Sequence, residues 1–163
     1  MALEPAITDI EKLKDHPALA TLLGWRTDSV EGVKWDRNEL AIIVQRESLR
    51  EACALLRDKA AFNFLSDITC VDWYPSEPRF EVVYNLLSIS NKERVRLKVK
   101  LTGSDPNIES LTSLWPGANY FEREVFDLFG IRFNGHPNLR RIMMPDDWEG
   151  HPLRKDYPVE GYR

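Results

Sequence analysis

From residue 94 to 101 the chain reads Arg-Val-Arg-Leu-Lys-Val-Lys-Leu, a strict alternation of charged and apolar positions. A strand sends successive side chains to opposite faces. Val95, Leu97, Val99 and Leu101 therefore share one face, and Arg94, Arg96, Lys98 and Lys100 the other. The cationic face either docks an acidic partner or is the solvated side of a sheet. Antiparallel sheets commonly leave one side wet, so the solvated face is the expectation. The stretch 80–89, rich in Val, Tyr and Leu, predicts another strand, with a turn at Asn91 and Lys92. The stretch 64–73 predicts a third, blurred at its edges by Asp67 and Asp72, and Pro75 to Pro78 turns the chain. Residues 40–44 are short and β-branched and read as a buried strand.

Elsewhere the apolar positions recur at helical spacing. In 8–23, Ile10, Leu13, Leu19, Leu22 and Leu23 form such a set. Pro17 interrupts it, which predicts two short helices or a kink, and Gly24 is placed to stop it. Ser48 and Glu51 have capping-box spacing before Leu49, Ala52, Cys53, Leu56 and Ala60. Cys53 lies in that stripe and is expected to pack as a small hydrophobe. A short helix is expected over 108–115, ended by Pro116 and Gly117. Asn119 and Glu122 resemble a second capping box, opening a helix with Phe121, Val125, Leu128 and Phe129 on one side and Gly130 at its end. The pattern predicts an α+β fold: a mixed or antiparallel sheet of about four strands with helices packed on it.

After Phe133 the periodicity stops. Four of the ten prolines lie beyond this point, with mixed charge and isolated apolar residues Leu139, Ile142, Met143, Met144 and Trp148. The tripeptide Gly-His-Pro occurs twice, at 135–137 and 150–152. This is too long for an ordinary connection and too aromatic for a free linker. It reads as a proline-rich strap, held against its own domain or on another protein. The chain thus divides into a compact domain, 1–133, and an extended C-terminal docking segment, 134–163.

The composition is that of an ordinary soluble domain: 43% hydrophobic, 29% charged, net charge −4. That balance argues against wholesale nucleic-acid binding. No apolar run reaches the roughly 18 residues a membrane helix needs, so no direct membrane insertion is expected. The first residues carry acids and no apolar segment of the secretory kind. Two cysteines, without a CxxC, are too few for a disulfide framework or an iron–sulfur site.

His136, His151, Asp146 and Asp147 could supply metal ligands. However, the histidines are fifteen residues apart in non-helical chain, and each precedes a proline that restricts it to extended conformations. That suits a fixed bend better than a coordination shell. No nucleophile motif, dinucleotide fingerprint or P-loop is present. Glu122 and Glu124 face different sides of their helix and make poor acid–base partners. Arg123 and Asp127 have i, i+4 spacing. Arg140, Arg141, Arg154, Lys155 and Asp156 suit ion pairs and recognition of carboxylates or carbonyls.

Three segments carry a resemblance: EREVFDLFG at 122–130, GHPNLRRI at 135–142 and PDDWEGHPLRKDYP at 145–158. FNFL at 62–65 and LWPGAN at 114–119 add to it. They are similar to the C-subunit family of proton-pumping NADH:quinone oxidoreductase, respiratory complex I. The resemblance implies a non-catalytic subunit of the peripheral arm, on the cytoplasmic side of the inner membrane. It implies no cofactor on this chain, with FMN and iron–sulfur clusters on other subunits. The strap is then expected to dock chiefly on the D subunit, near the quinone-reducing region formed with the B subunit. The equivalent subunit of a membrane-bound hydrogenase-type complex is the alternative. The residues expected at the partner interface are Glu122, Arg123 and Asp127 on the helix, then His136, Leu139, Arg140, Arg141 and Met144. Further along they are Trp148, His151, Arg154, Lys155, Asp156 and Tyr157. Each His-Pro is expected to fix a bend between them.

Overall fold

The computed structural model describes residues 5–160; the first four residues of the chain and the last three of the expected strap lie outside the described residues. The elements run α1 (Ile10–Leu13), α2 (Pro17–Trp25), β1 (Val30–Asp36), β2 (Glu39–Val44), α3 (Leu49–Lys59), β3 (Phe64–Asp72) and β4 (Phe80–Ser88). They continue with β5 (Glu93–Leu101), β6 (Asn107–Glu109), α4 (Ala118–Phe129) and β7 (Arg132–Asn134). Five strands form a mixed sheet in the order β1-β2-β5-β4-β3, and β6 and β7 form a small parallel pair. Within the large sheet only β2 and β5 run parallel. The α+β class is as expected, with one more strand in the main sheet than the four or so foreseen. The additional strand, β1, is bulged between Val30 and Gly32, and the bulge breaks the alternation that would have marked it.

The alternation of β5 becomes burial: Val95, Leu97, Val99 and Leu101 join the core, together with Leu40 and Ile42 of β2 and Phe80, Val82 and Tyr84 of β4. The core is closed by α2 packed on α3 and by α4 packed on β3. On the opposite face of β5 the cations are partly neutralised within the sheet. Lys98 pairs with Glu81 at 2.6 Å, and Arg96 with Glu39. Cys53 is fully buried in the core, and burial pushes its thiol far up.

Four local expectations fail. Ser48 does not cap α3 with its side chain, because a 3-10 turn over Arg46–Ser48 runs straight into the helix and leaves Ser48 in helical rather than extended backbone. Asn119 lies inside α4, whose cap position is Gly117, and Glu122 turns into the core instead of back to the cap. No helix forms over 108–115: Ile108 pairs with Phe133 in the β6–β7 ladder, and only a single turn follows, with Leu114 and Trp115 N–H groups on the Leu111 carbonyl. Gly24 does not end α2, which runs on to Trp25. The break at Pro17 does yield two helices, α1 and α2.

Candidate partner interface

Helix α4 is where the core and the strap meet. Val125 and Phe129 pack inward, Glu124 faces solvent, and Gly130 ends the helix in the left-handed conformation at φ 76°. Two of its acids, Glu122 and Asp127, are fully buried. Glu122 accepts from the Ser110 hydroxyl and the Leu111 N–H, both at 2.6 Å. Burial, set against those two bonds, pushes its carboxyl up to about 7.

Asp127 organises the strap. Its Oδ2 accepts the consecutive N–H groups of Ile142 (3.0 Å), Met143 (2.7 Å) and Met144 (2.8 Å). Its Oδ1 accepts Arg141 Nη1 at 2.6 Å. Burial opposes the charge, but the Met144 and Ile142 amides and the Arg141 guanidinium outweigh it and hold the carboxyl below its ordinary range. Arg141 also donates to the Trp148 carbonyl at 2.9 Å and the Gly150 carbonyl at 3.0 Å, closing the strap into a loop. Arg123 donates to the Arg140 and Arg141 carbonyls at 3.1 and 3.0 Å. The helical Arg123–Asp127 pair does not form, since both side chains serve the strap instead.

The doubled Gly-His-Pro grips both ends of α4. Gly135 and Gly150 have φ of 79° and 75°, a region open to glycine and strained for most residues. The Asn138 N–H donates to His136 Nδ1 at 3.0 Å, which leaves Nε2 to donate to the Asn119 carbonyl at 3.2 Å in the first turn. At the other end His151 Nδ1 donates to the Asp127 carbonyl at 2.9 Å. The Leu153 N–H follows on Leu128 at 3.0 Å, and Arg154 Nε on Phe129 at 2.6 Å. The last carbonyls of a helix lack partners within it, and here the strap supplies them. The two carbonyls bonded by the histidines are eight residues apart, roughly 12 Å along the axis at about 1.5 Å per residue. The histidines do not converge on one metal, and among the described residues no three His, Cys, Asp or Glu side chains group as a metal site.

A second tether holds the far end. Buried Asp72 accepts from Arg79 Nε (2.9 Å) and Nη2 (2.8 Å), from the Tyr74 N–H (3.0 Å) and from the Lys155 N–H (2.8 Å). Arg79 in turn grips Asp156 through two bonds of 2.9 and 2.6 Å. Burial would raise the Asp72 carboxyl, but Arg79 and the Lys155 and Tyr74 amides bring it down to about 2. Asp72 and Arg79 are absent from the residues expected at the interface. The available signal is a carboxylate set between Val71 and Trp73 at the end of an apolar strand.

The family model for the respiratory-chain NADH dehydrogenase 30 kDa subunit matches residues 42–163. The chain belongs to this family. The C subunit of NADH-quinone oxidoreductase from Citrifermentans bemidjiense is 53% identical over 125 residues, covering 77% of this chain and 78% of that one. Its counterpart from Roseiflexus sp. strain RS-1, also a C subunit of NADH-quinone oxidoreductase, is 52% identical over 134 residues, 81% of this chain and 77% of the relative. Among solved structures, the trypsin-resistant fragment of Nqo5 superposes with TM-score 0.66 at 34% identity, over 75% of this chain and 99% of the fragment. The membrane-bound sulfane sulfur reductase, an archaeal respiratory membrane complex, contains a chain that superposes with TM-score 0.75 at 25% identity, over 90% and 86%. This 30 kDa-family protein is thus a component of a complex I-type assembly, and no helix among its described residues is long and apolar enough to cross a membrane.

The fourteen side chains expected at a partner interface separate by exposure. Glu122 and Asp127 have no surface to offer, because both are consumed inside the chain. His136, Arg123, Arg141, His151 and Arg154 are half-buried and fasten the strap to α4. Leu139 packs against the domain's own core, and Met144 is half-buried. Tyr157 is half-buried, and its hydroxyl donates to the Glu149 carbonyl at 3.4 Å. Arg140, Trp148, Lys155 and Asp156 reach the surface. Other apolar side chains of the strap are also exposed, among them Met143 (62%), Leu153 (48%) and, near its end, Val159, with Ile142 and Trp148 less so. Trp73 and Tyr74 are also half-exposed, and Tyr74 stacks under the Arg79 guanidinium at 4.9 Å, beside the second tether.

Proposed function

We propose that this protein is a non-catalytic assembly element of the peripheral arm, docking through its strap on the D subunit near the quinone-reducing region formed with the B subunit. It works on the cytoplasmic face of the membrane, and it carries neither flavin nor cluster. Electron transfer from NADH to quinone proceeds on its neighbours. The observation that carries the reading is a strap whose backbone is fixed by α4 while Met143, Trp148 and Leu153 point away from the domain. Isolated apolar exposure is ordinary, but several large side chains on one pre-ordered segment suit a partner surface. Aromatic and Met anchors of this kind carry most interface energy.

The test is affinity purification of the tagged chain from its own cells. Wild type is expected to bring down the D and B subunits. Met143→Asp and Trp148→Ala, both at exposed positions, are expected to lower recovery of D at least roughly tenfold, the loss of one interface anchor. Undiminished recovery of D by both variants refutes the docking surface. The likeness to a chain of the sulfane sulfur reductase favours a second reading, the equivalent component of a related membrane-bound complex such as the hydrogenase type. Co-purification of hydrogenase-type or sulfur-reductase subunits in place of NADH-oxidising ones would select it.

A further inference from the structure

Where the end of α4, the β6–β7 pair and the returning strap meet, the surface opens into a polar cleft of about 730 Å³. Phe126, Pro106 and Gly130 give it apolar wall, and Arg154 and Arg132 line it. Arg154 is fixed in place. Its Nε is spent on the Phe129 carbonyl at 2.6 Å, and its guanidinium lies 5.3 Å from the Phe80 ring centroid. It also occupies the space a side chain at Gly130 would need: a Cβ there would sit 2.6 Å from Arg154 Nη2. The outer nitrogens of the fork are therefore held in position by groups that do not neutralise it.

No carboxylate among the described residues lies within ion-pair distance of Arg154 or Arg132. Arg154 differs in this from Arg79, which holds two carboxylates, and from Arg141, which holds Asp127. Asp105, the acid of the cleft, is already engaged by Arg46 at 3.0 Å and by the Asn107 amide. Burial and the nearby Arg79 pull the Arg154 guanidinium below its ordinary range, and the more distant Asp156 and Asp72, both already bonded to Arg79, only partly oppose them. A half-buried guanidinium with no carboxylate in direct contact gains from one, and its planar fork is matched by a carboxylate.

We propose that this cleft receives an Asp or Glu side chain of the neighbouring subunit on which the strap docks, held by Arg154 and Arg132. The inference rests on the docking reading and adds to it a specific charged contact away from the apolar anchors. An acid on its own methylene stem fits a cleft with an apolar wall and two cations; a free phosphate uses only the cations.

The experiment is done in the assembled complex. Arg132 is exposed and makes no side-chain ion pair among the described residues, so Arg132→Glu keeps the fold while reversing the charge at the mouth. The variant is expected to incorporate roughly tenfold less, as for a charge pair lost from an interface. In a second arm Arg132→Lys is treated with a carbodiimide, which joins an amine to an adjacent carboxylate. Arg140→Lys, exposed on the strap, is the control. A cross-link from position 132 to an Asp or Glu of another subunit is the expected result. Cross-links from position 140 alone, with Arg132→Glu incorporated normally, overturn the cleft contact and leave the docking reading intact. If neither position cross-links and Met143→Asp also assembles normally, docking itself fails and the cleft contact with it. A third arm titrates the isolated chain with inorganic phosphate while following the Arg154 side-chain resonances. Saturable phosphate binding together with normal incorporation of Arg132→Glu overturns the proposal in favour of a free-anion site.

Discussion

Replacing Glu122 by Gln should make the domain more stable at neutral and alkaline pH. The carboxyl is fully buried and has no cationic partner among the described residues, only the Ser110 hydroxyl and the Leu111 N–H at 2.6 Å. Its folded pKa of about 7 stands against an ordinary value of 4.5. A carboxyl raised on folding means that the native state binds the proton more tightly than the unfolded chain. Stability is then greatest below pH 4.5, falls as pH rises through the interval, and has lost the whole contribution above pH 7. At about 1.36 kcal/mol per pKa unit the loss is roughly 3 kcal/mol. Glutamine reproduces the neutral acid: its carbonyl accepts from Leu111 and its amide donates to Ser110. The assay is urea unfolding followed by tryptophan fluorescence at intervals from pH 4.5 to 8. With a urea slope of about 2 kcal/mol per M, the midpoint of Glu122→Gln should exceed that of wild type by roughly 1.5 M at pH 8. His16 and His151, both held low chiefly by burial, titrate in both proteins and cancel in the difference. A difference between the two proteins that stays constant with pH would show that Glu122 is ionised throughout and that the reasoning is wrong.

The remaining predictions concern the strap. Asp127→Asn places an amide nitrogen or a single oxygen before four donors, and is expected to cost roughly 3 kcal/mol, as for breaking a buried charged network; trypsin cleavage after Arg140 and Arg141 should accelerate, and an unchanged digestion rate would count against the tether. Asp72, held at about 2 against an ordinary 3.8, contributes roughly 2 kcal/mol that is present above pH 3.8 and lost as pH falls through 2; Asp72→Asn should flatten that acid limb in a denaturation series. Gly130→Ala meets both a left-handed backbone and the Arg154 and His151 side chains at 2.6 Å, and should lower stability by at least about 1 kcal/mol in thermal melts, whereas Gly117→Ala, with open space around it, should not.

Which features are legible in the sequence follows from where the information lies. The β5 pattern is legible because each residue's environment is set by its own alternation, and the sheet then buries that face. The break at Pro17 is legible because a missing N–H is a local fact. Ile108 is different. Its neighbourhood resembles a helix, but the partner that makes it a strand, Phe133, is far along the chain. Asn119 and Glu122 have capping spacing, yet burial against Ser110 and Leu111 competes for Glu122 and wins. The strap is legible as a segment, through its prolines, its aromatics and its repeated tripeptide. Its mode of attachment is not, because a carboxylate receiving three consecutive backbone amides leaves no side-chain pattern at 142–144. Leu153 escapes notice for a related reason: a lone apolar residue after His-Pro has no periodicity to mark its exposure.

The attachment also bears on the proposed docking, by a segment with no regular structure. A free strap would lose its conformational entropy at the moment of association, roughly 1–2 kcal/mol for each residue ordered, and several exposed apolar side chains would not offset that. Here the ordering has already occurred on folding, through the Asp127 amide cluster, the two histidine bonds to α4 and the Asp72–Arg79–Asp156 tether. Burying an exposed Met, Leu or Trp on a partner then contributes on the order of 1–2 kcal/mol each with little left to subtract. On the docking reading, buried Asp127 of α4 bears on assembly without touching a partner. Loosening Asp127 returns the entropy cost to the binding step, so a change at a fully buried residue weakens docking through the shape of the strap rather than through any contact it makes.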